Sequence, residues 1–142
     1  MSALFHAATA RVDVPAETAF AYLGDGLRQT EWTLGSWDRE EVGEQLFRGR
    51  SLFDGGEVYV RISSAPAELV VDYEVGPAPD QLRRVNSARV VPGETLGWPR
   101  SSCVVTLMKW RTPTQDDGLW ERLCAAYDAE IHMIKGRLEL GF

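Results

Sequence analysis

The chain has 142 residues and a net charge of −6, with 25% charged and 44% hydrophobic residues. That length suits one domain, which buries about two-thirds of its unfolded surface and needs no disulfide or metal to hold together. An acidic chain with no basic block lacks the Lys and Arg density of a nucleic-acid or anionic-membrane surface, and no run approaches the roughly 18 apolar residues of a membrane span.

In chain order, the first strand is expected from Leu4 to Val14. Pro15 suits the first position of a helix, where its missing N–H is unpaired anyway. Ala19, Phe20 and Leu23 then fall on one face, and Gly24 supplies a stop. Asp25 to Ser36 is polar and broken by Gly26 and Gly35, with room for one helical turn around Leu27–Trp32. Six strands are expected to follow, at 37–42, 46–53, 57–63, 68–75, 82–91 and 102–111. Their separators are turn chemistry: Asp54-Gly55-Gly56, Ala65-Pro66, Gly76-Pro77-Ala78-Pro79-Asp80, and Pro92-Gly93 through Pro99. Asp116 to Leu140 closes the chain as its major helix.

Two strands can be given faces. Val58, Val60 and Ile62 alternate with Glu57, Tyr59 and Arg61, and Leu69, Val71, Tyr73 and Val75 alternate with Glu68, Asp72 and Glu74. That is a sheet with one dry and one wet face. The last helix answers with Trp120, Leu123/Cys124, Tyr127, Ile131, Ile134 and Leu138 at intervals of three and four. Acids at its start (Asp116, Asp117) and bases toward its end (Lys135, Arg137) suit its macrodipole. This helix is expected to pack on the dry face.

Cys103 and Cys124 fall in a strand and a helix pattern, and read as free thiols. The N-terminus has neither a charged region nor an apolar core of a leader, so the expected location is cytoplasmic. Basic charge is carried by 13 Arg against 2 Lys, which points to a GC-rich bacterial coding sequence.

The opening Val14-Pro15-Ala16-Glu17 between strand and helix, Trp32 soon after, a six-strand run and a long closing helix resemble the helix-grip fold. This is the fold of the START-type, or SRPBCC, superfamily, which includes lipid-transfer domains, the major birch-pollen allergen and bacterial polyketide cyclase/dehydrase proteins. The resemblance spans nearly the whole chain in layout; in residues it rests on positions 12–20, Trp32 and the final helix. It implies an α+β domain over residues 1–142. A curved antiparallel sheet of about seven strands would wrap around the long helix, with one or two short helices after the first strand. It also implies a cavity between helix and sheet for a hydrophobic or aromatic small molecule, which some members transform. The iron–sulfur and nonheme-iron ligand patterns of the oxygenase relatives are absent, and no cofactor is expected.

Candidate chemistry is sparse. His6 shares strand parity with Val12, so it should face inward as a general acid or base, or as a satisfied strand-end histidine. His132 follows Asp128 by four residues, flanking the helix stripe as a solvated pair. Tyr73 and Tyr127 sit on dry faces, each with a phenol that needs a partner; in a cyclase such a group polarises a carbonyl, in a carrier it orients the ligand. The expected cavity wall is Trp32, Val58, Val60, Val71, Tyr73, Trp98, Trp110, Tyr127 and Ile131, with Trp32 and Trp98 as lid or plug. Whether Cys103, Val105 and Leu107 or Val104, Thr106, Met108 and Trp110 point inward is open. The outward set would be apolar enough for a homodimer.

Several patterns are missing. Gly24-Asp25-Gly26 lacks a third glycine and follows a helix, so it is no phosphate loop. No Ser sits in a nucleophile elbow, and two distant histidines argue against a metal. Glu40 and Glu41 point to opposite faces of a strand. Two functions remain: a cofactor-free cyclase or dehydratase using His6, Tyr73 or Tyr127, and a carrier without turnover. A dimerising domain with a self-filled cavity is a third.

Overall fold

A computed structural model describes residues 3–141. The strands are β1 (Phe5–Val12), β2 (Trp37–Gly43), β3 (Leu46–Arg50), β4 (Glu57–Ala65), β5 (Val70–Gly76), β6 (Arg83–Pro92) and β7 (Cys103–Trp110). They form one antiparallel sheet in the order β1-β7-β6-β5-β4-β3-β2. Helix α1 (Ala16–Leu23) follows β1, a 3₁₀ turn spans Arg28–Glu31, another spans Gly93–Leu96, and α2 (Asp117–Leu140) closes the chain. The α+β layout expected from the sequence holds.

The departures have local causes. The third strand stops at Arg50 because Ser51–Gly56 folds into a turn: the Ser51 N–H donates to the Gly56 carbonyl at 2.9 Å and the Gly55 N–H to the Ser51 carbonyl at 2.8 Å. The fifth starts at Val70 because Leu69 takes a left-handed conformation (φ 55°), which ends regular pairing. The expected Pro92–Pro99 separator holds a 3₁₀ turn at Gly93–Leu96, which terminates at Gly97 with φ 84°.

One sheet face is dry. Its core includes Ala8 and Val12 of β1, Val60 and Ile62 of β4, Val71 and Tyr73 of β5, and Ala88 and Val90 of β6. In β7 the inward set is Cys103, Val105 and Leu107, and Lys109 continues it. Val104, Thr106, Met108 and Trp110 face outward, where the exposed rings of Trp110 and Phe5 pair at 5.2 Å.

Helix α2 is capped as its ends require. The Asp116 carboxylate accepts from the Leu119 N–H at 2.8 Å, and Gly141 ends the helix in the left-handed region at φ 70°. The helix lies along β1 in the same sense, as three ties between them show. His6 bonds Asp128, the Lys135 ammonium donates to the Arg11 carbonyl at 2.7 Å, and the Asp13 N–H donates to the Glu139 carboxylate at 2.8 Å. Its C-terminal half therefore meets the end of β1 near α1, where Ile131, Ile134 and Val12 are buried together. Its N-terminal half reaches the other end of the sheet, where four loops leave a gap. Among the described residues no helix is long and apolar enough to cross a membrane.

Candidate functional site

The gap is a cavity of about 420 Å³ between α2 and the curved sheet. It lies within the range of about 300–1,000 Å³ typical of small-molecule sites. Its apolar wall comes from Val58, Val60 and Val75 of the sheet and Leu123 and Ala126 of α2, with Phe53 at the mouth. Its polar groups come from three places.

The first is a row across the sheet. Directly paired residues of antiparallel strands share a face. Tyr73 pairs with Asn86, Asn86 with Lys109, and Lys109 with His6. This register places one polar row on an otherwise apolar surface, and Tyr73, Asn86 and Lys109 all line the cavity. The Tyr73 hydroxyl donates to the Leu23 carbonyl at 2.6 Å, so its ring serves the wall while its proton ties α1 to the sheet. Lys109 is only 5% exposed, and its ammonium lies 4.5 Å from the ring centroid of Tyr127. Burial lowers its pKa, against the opposing charges of Glu130 and Cys124.

The second is α2, which contributes Tyr127 and Glu130. Glu130 is 2% exposed, and burial pushes its carboxyl up to about 8, although the Leu34 N–H and the Lys109 charge pull the other way. It stays largely protonated at neutral pH. The Tyr127 pKa is raised chiefly by burial and further by Glu130, and its hydroxyl finds no hydrogen-bond partner among the described residues.

The third is the segment from Gln29 to Arg39. Trp37 pairs with Arg50 and Glu40 with Arg48, so Asp38 and Arg39 both oppose Gly49. This is a bulge, with Asp38 at φ 53°, and it re-aims Arg39 into the cavity wall. Gly49 is required there: a Cβ would meet the Trp37 carbonyl oxygen at 2.8 Å and the Arg39 Cγ at 3.1 Å. The guanidinium donates to Ser36 Oγ at 2.9 Å, to the Gly26 carbonyl at 3.0 Å and to the Gln29 side-chain oxygen. Burial lowers it to about 10, still a cation at neutral pH, and it forms no ion pair with a carboxylate among the described residues. Trp32, 3% exposed, meets the Tyr73 ring edge-on at 6.3 Å, and its indole N–H has no partner among the described residues.

The wall residues expected from the sequence divide. Trp32, Val58, Val60, Tyr73 and Tyr127 line the cavity. Val71 and Ile131 belong to the packed core beside it. Trp98 is exposed after the Gly93–Leu96 turn, with the Arg11 guanidinium 4.3 Å above its ring, and Trp110 lies on the outer face. His6 does face the helix side of the sheet, but past the edge of the cavity: it is 27% exposed at its side chain and donates to the Asp128 carboxylate at 2.8 Å. Asp128 thus serves β1 and leaves His132 exposed. Reading the sequence missed Lys109, Glu130, Asn86 and Arg39. A signal existed for two: Lys109 continues the parity of Leu107, and Glu130 lies three residues after Tyr127 and four before Ile134.

Taken together, the seven-stranded curved sheet, the short helix after β1 and the long closing helix are the helix-grip, START-like fold. No family model and no curated protein matches the chain. Solved structures do. The protein XoxI from Bacillus cereus superposes with a TM-score of 0.72 at 13% identity, covering 99% of both chains. A START superfamily protein from Mycobacterium smegmatis gives 0.70 at 13% identity, over 97% of this chain and 99% of that one. The Zhui aromatase/cyclase from Streptomyces sp. R1128 gives 0.64 at 16% identity, over 96% of each. At these identities the likeness is one of fold.

Proposed function

We propose that the protein binds a hydrophobic, carbonyl-bearing small molecule in this cavity and promotes its cyclisation or dehydration by acid–base chemistry, in the manner of a polyketide cyclase/dehydratase. One observation carries the reading: a proton-bearing carboxyl, Glu130, lines the same cavity as the Trp32 indole N–H, a buried donor with no partner among the described residues. A pure hydrocarbon would leave that donor unmet, at a cost. A ligand oxygen meets it.

The chemistry follows from placement. The Tyr127 hydroxyl and the Asn86 amide hold the ligand's carbonyl oxygen, and Arg39 and Trp32 receive a second oxygen. Glu130 gives its proton to a departing hydroxyl, which leaves as water. The carboxylate so formed takes the neighbouring C–H proton and is restored. Ring closure uses the same group: as an enol carbon attacks a second carbonyl, Glu130 protonates the oxygen that becomes the new hydroxyl, and its carboxylate takes the proton released from the enol O–H. A carboxyl near pH 8 is poised for both directions at neutral pH. Trp32, Tyr73, Val58 and Val60 shape the space, and the outward face bearing Phe5 and Trp110 is assigned to contact with a second copy.

The test has two parts. Flat aromatic ketones should quench tryptophan fluorescence through Trp32. Glu130→Gln should retain that binding while losing roughly a hundredfold or more of kcat on a β-hydroxyketone. Binding with no turnover in either protein makes this a carrier.

A further inference from the structure

The chain contains two lysines, Lys109 and Lys135, and they differ in every respect that governs reactivity. Lys135 lies at the surface, its ammonium bonded to the Glu139 carboxylate at 2.6 Å and to the Arg11 carbonyl at 2.7 Å. Lys109 lines the cavity from the inward face of β7. Its amine makes no hydrogen bond and no ion pair with any described residue; it rests over the Tyr127 ring. The groups facing it are Glu130, Cys124 and Tyr127 from α2, Asn86 from β6 and His6 from β1. The carboxyl among them that shares the cavity, Glu130, accepts from the Leu34 N–H and does not reach the amine within ion-pair distance.

A buried lysine with no paired carboxylate is costly as a cation, so its neutral form gains weight. A neutral primary amine beside an apolar ligand space is a nucleophile toward carbonyl carbon. We propose that Lys109 forms a Schiff base with the aldehyde or ketone carbonyl of the molecule bound in the cavity. This deepens the acid–base reading and rests on its premise that the cavity takes a carbonyl compound.

The step balances within the site. The Lys109 nitrogen lone pair adds to the carbonyl carbon, and one amine proton passes to the carbonyl oxygen, giving a carbinolamine. The Glu130 carboxyl then protonates that hydroxyl. The C–O bond breaks, water departs, and the nitrogen lone pair completes a C=N bond. Iminium and Glu130 carboxylate are left as opposite charges across the cavity, so the charge created on one wall is balanced on the other. The iminium acidifies the adjacent C–H, which the carboxylate is placed to remove. The resulting enamine carbon can close a ring on a second carbonyl.

With one buried and one paired lysine, the experiment is clean. The full chain is incubated with 2-naphthaldehyde and sodium cyanoborohydride, and the products are mapped by peptide mass spectrometry. Expected is one reduced naphthylmethyl group on Lys109, formed roughly tenfold or more faster than on Lys135 or the terminal amine. Glu130→Gln should slow that adduct, and Lys109→Arg should abolish it while still binding the aldehyde by fluorescence quenching. Modification of Lys135 or the terminus at an equal or higher rate would overturn the proposal. So would quenching by the aldehyde with no adduct on Lys109, which leaves the acid–base reading standing. Neither quenching nor adduct defeats both.

Discussion

The two halves of α2 rest on the same sheet and meet different surroundings. Toward its C-terminus, Ile131 and Ile134 are buried in the core cluster with Val12, Ala8 and Val105. Toward its N-terminus, Leu123, Ala126, Tyr127 and Glu130 face Val60, Tyr73, Asn86 and Lys109 across the cavity. The first half has the close packing of a protein interior, which resists any change in volume. The second keeps buried polar groups that such packing would not tolerate. Close packing and buried polarity thus sit on successive turns of one helix, and the comparison can be tested one turn at a time.

The largest effects should come from the packed half and the anchor of α2. Ile134→Ala and Trp120→Ala should each cost about 2–5 kcal/mol in urea unfolding. Leu123→Ala, which only widens an existing space, should cost about 1 kcal/mol. Equal losses at all three would erase the distinction between the halves.

Next comes Glu130, whose effect depends on pH. Below its ordinary value of 4.5 the carboxyl is protonated whether the chain is folded or not, and above its folded value of about 8 it is ionised in both states. Between them the folded chain holds the extra proton. Stability should therefore be greatest at the acidic end of this window and fall by up to about 1.4 kcal/mol per pH unit as pH rises toward 8. Glu130→Gln should flatten that slope and be the more stable protein at pH 8. A wild-type and variant pair with parallel pH profiles would place Glu130 in contact with solvent.

Smaller changes separate tie from tool. Tyr73→Phe removes the hydrogen bond to Leu23 and should cost about 1–2 kcal/mol with ligand quenching unchanged, since only the ring faces the cavity. His6→Ala breaks a partly exposed pair with Asp128 and should cost less than about 1 kcal/mol. Quenching should again be unchanged; if it were lost, the cavity would extend to the edge of the row.

How much of this was legible beforehand depends on what each feature rests on. The alternation of Val58, Val60 and Ile62 and the spacing of Trp120, Tyr127, Ile131 and Ile134 are local periodicities, and they sufficed for the sheet, its dry face and the helix upon it. Lys109 and Glu130 obey the same periodicities, but a search for apolar stripes passes over charged members, although a charge at a core position is the more informative signal. Arg39 had no such signal. Its direction is set by a left-handed Asp38 opposite Gly49, and strict alternation cannot register an extra residue. Trp98 and Trp110 were placed by residue type, whereas the course of the Gly93–Leu96 turn and strand parity carry them outside.

The row formed by Tyr73, Asn86 and Lys109 has one more consequence. Backbone groups hold the strands in register, while the side chains of the row only project from them, so the row behaves as a cassette. A new side chain at Asn86 or Lys109 enters the cavity at a known address without disturbing the pairing that sustains the sheet. The same arrangement makes the cavity's lining hostage to register. A slip of one residue in β7 would withdraw the amine and present Met108 or Trp110 in its stead, turning a polar wall into a greasy one. For a designer, faithful strand pairing here is a chemical requirement before it is a structural one.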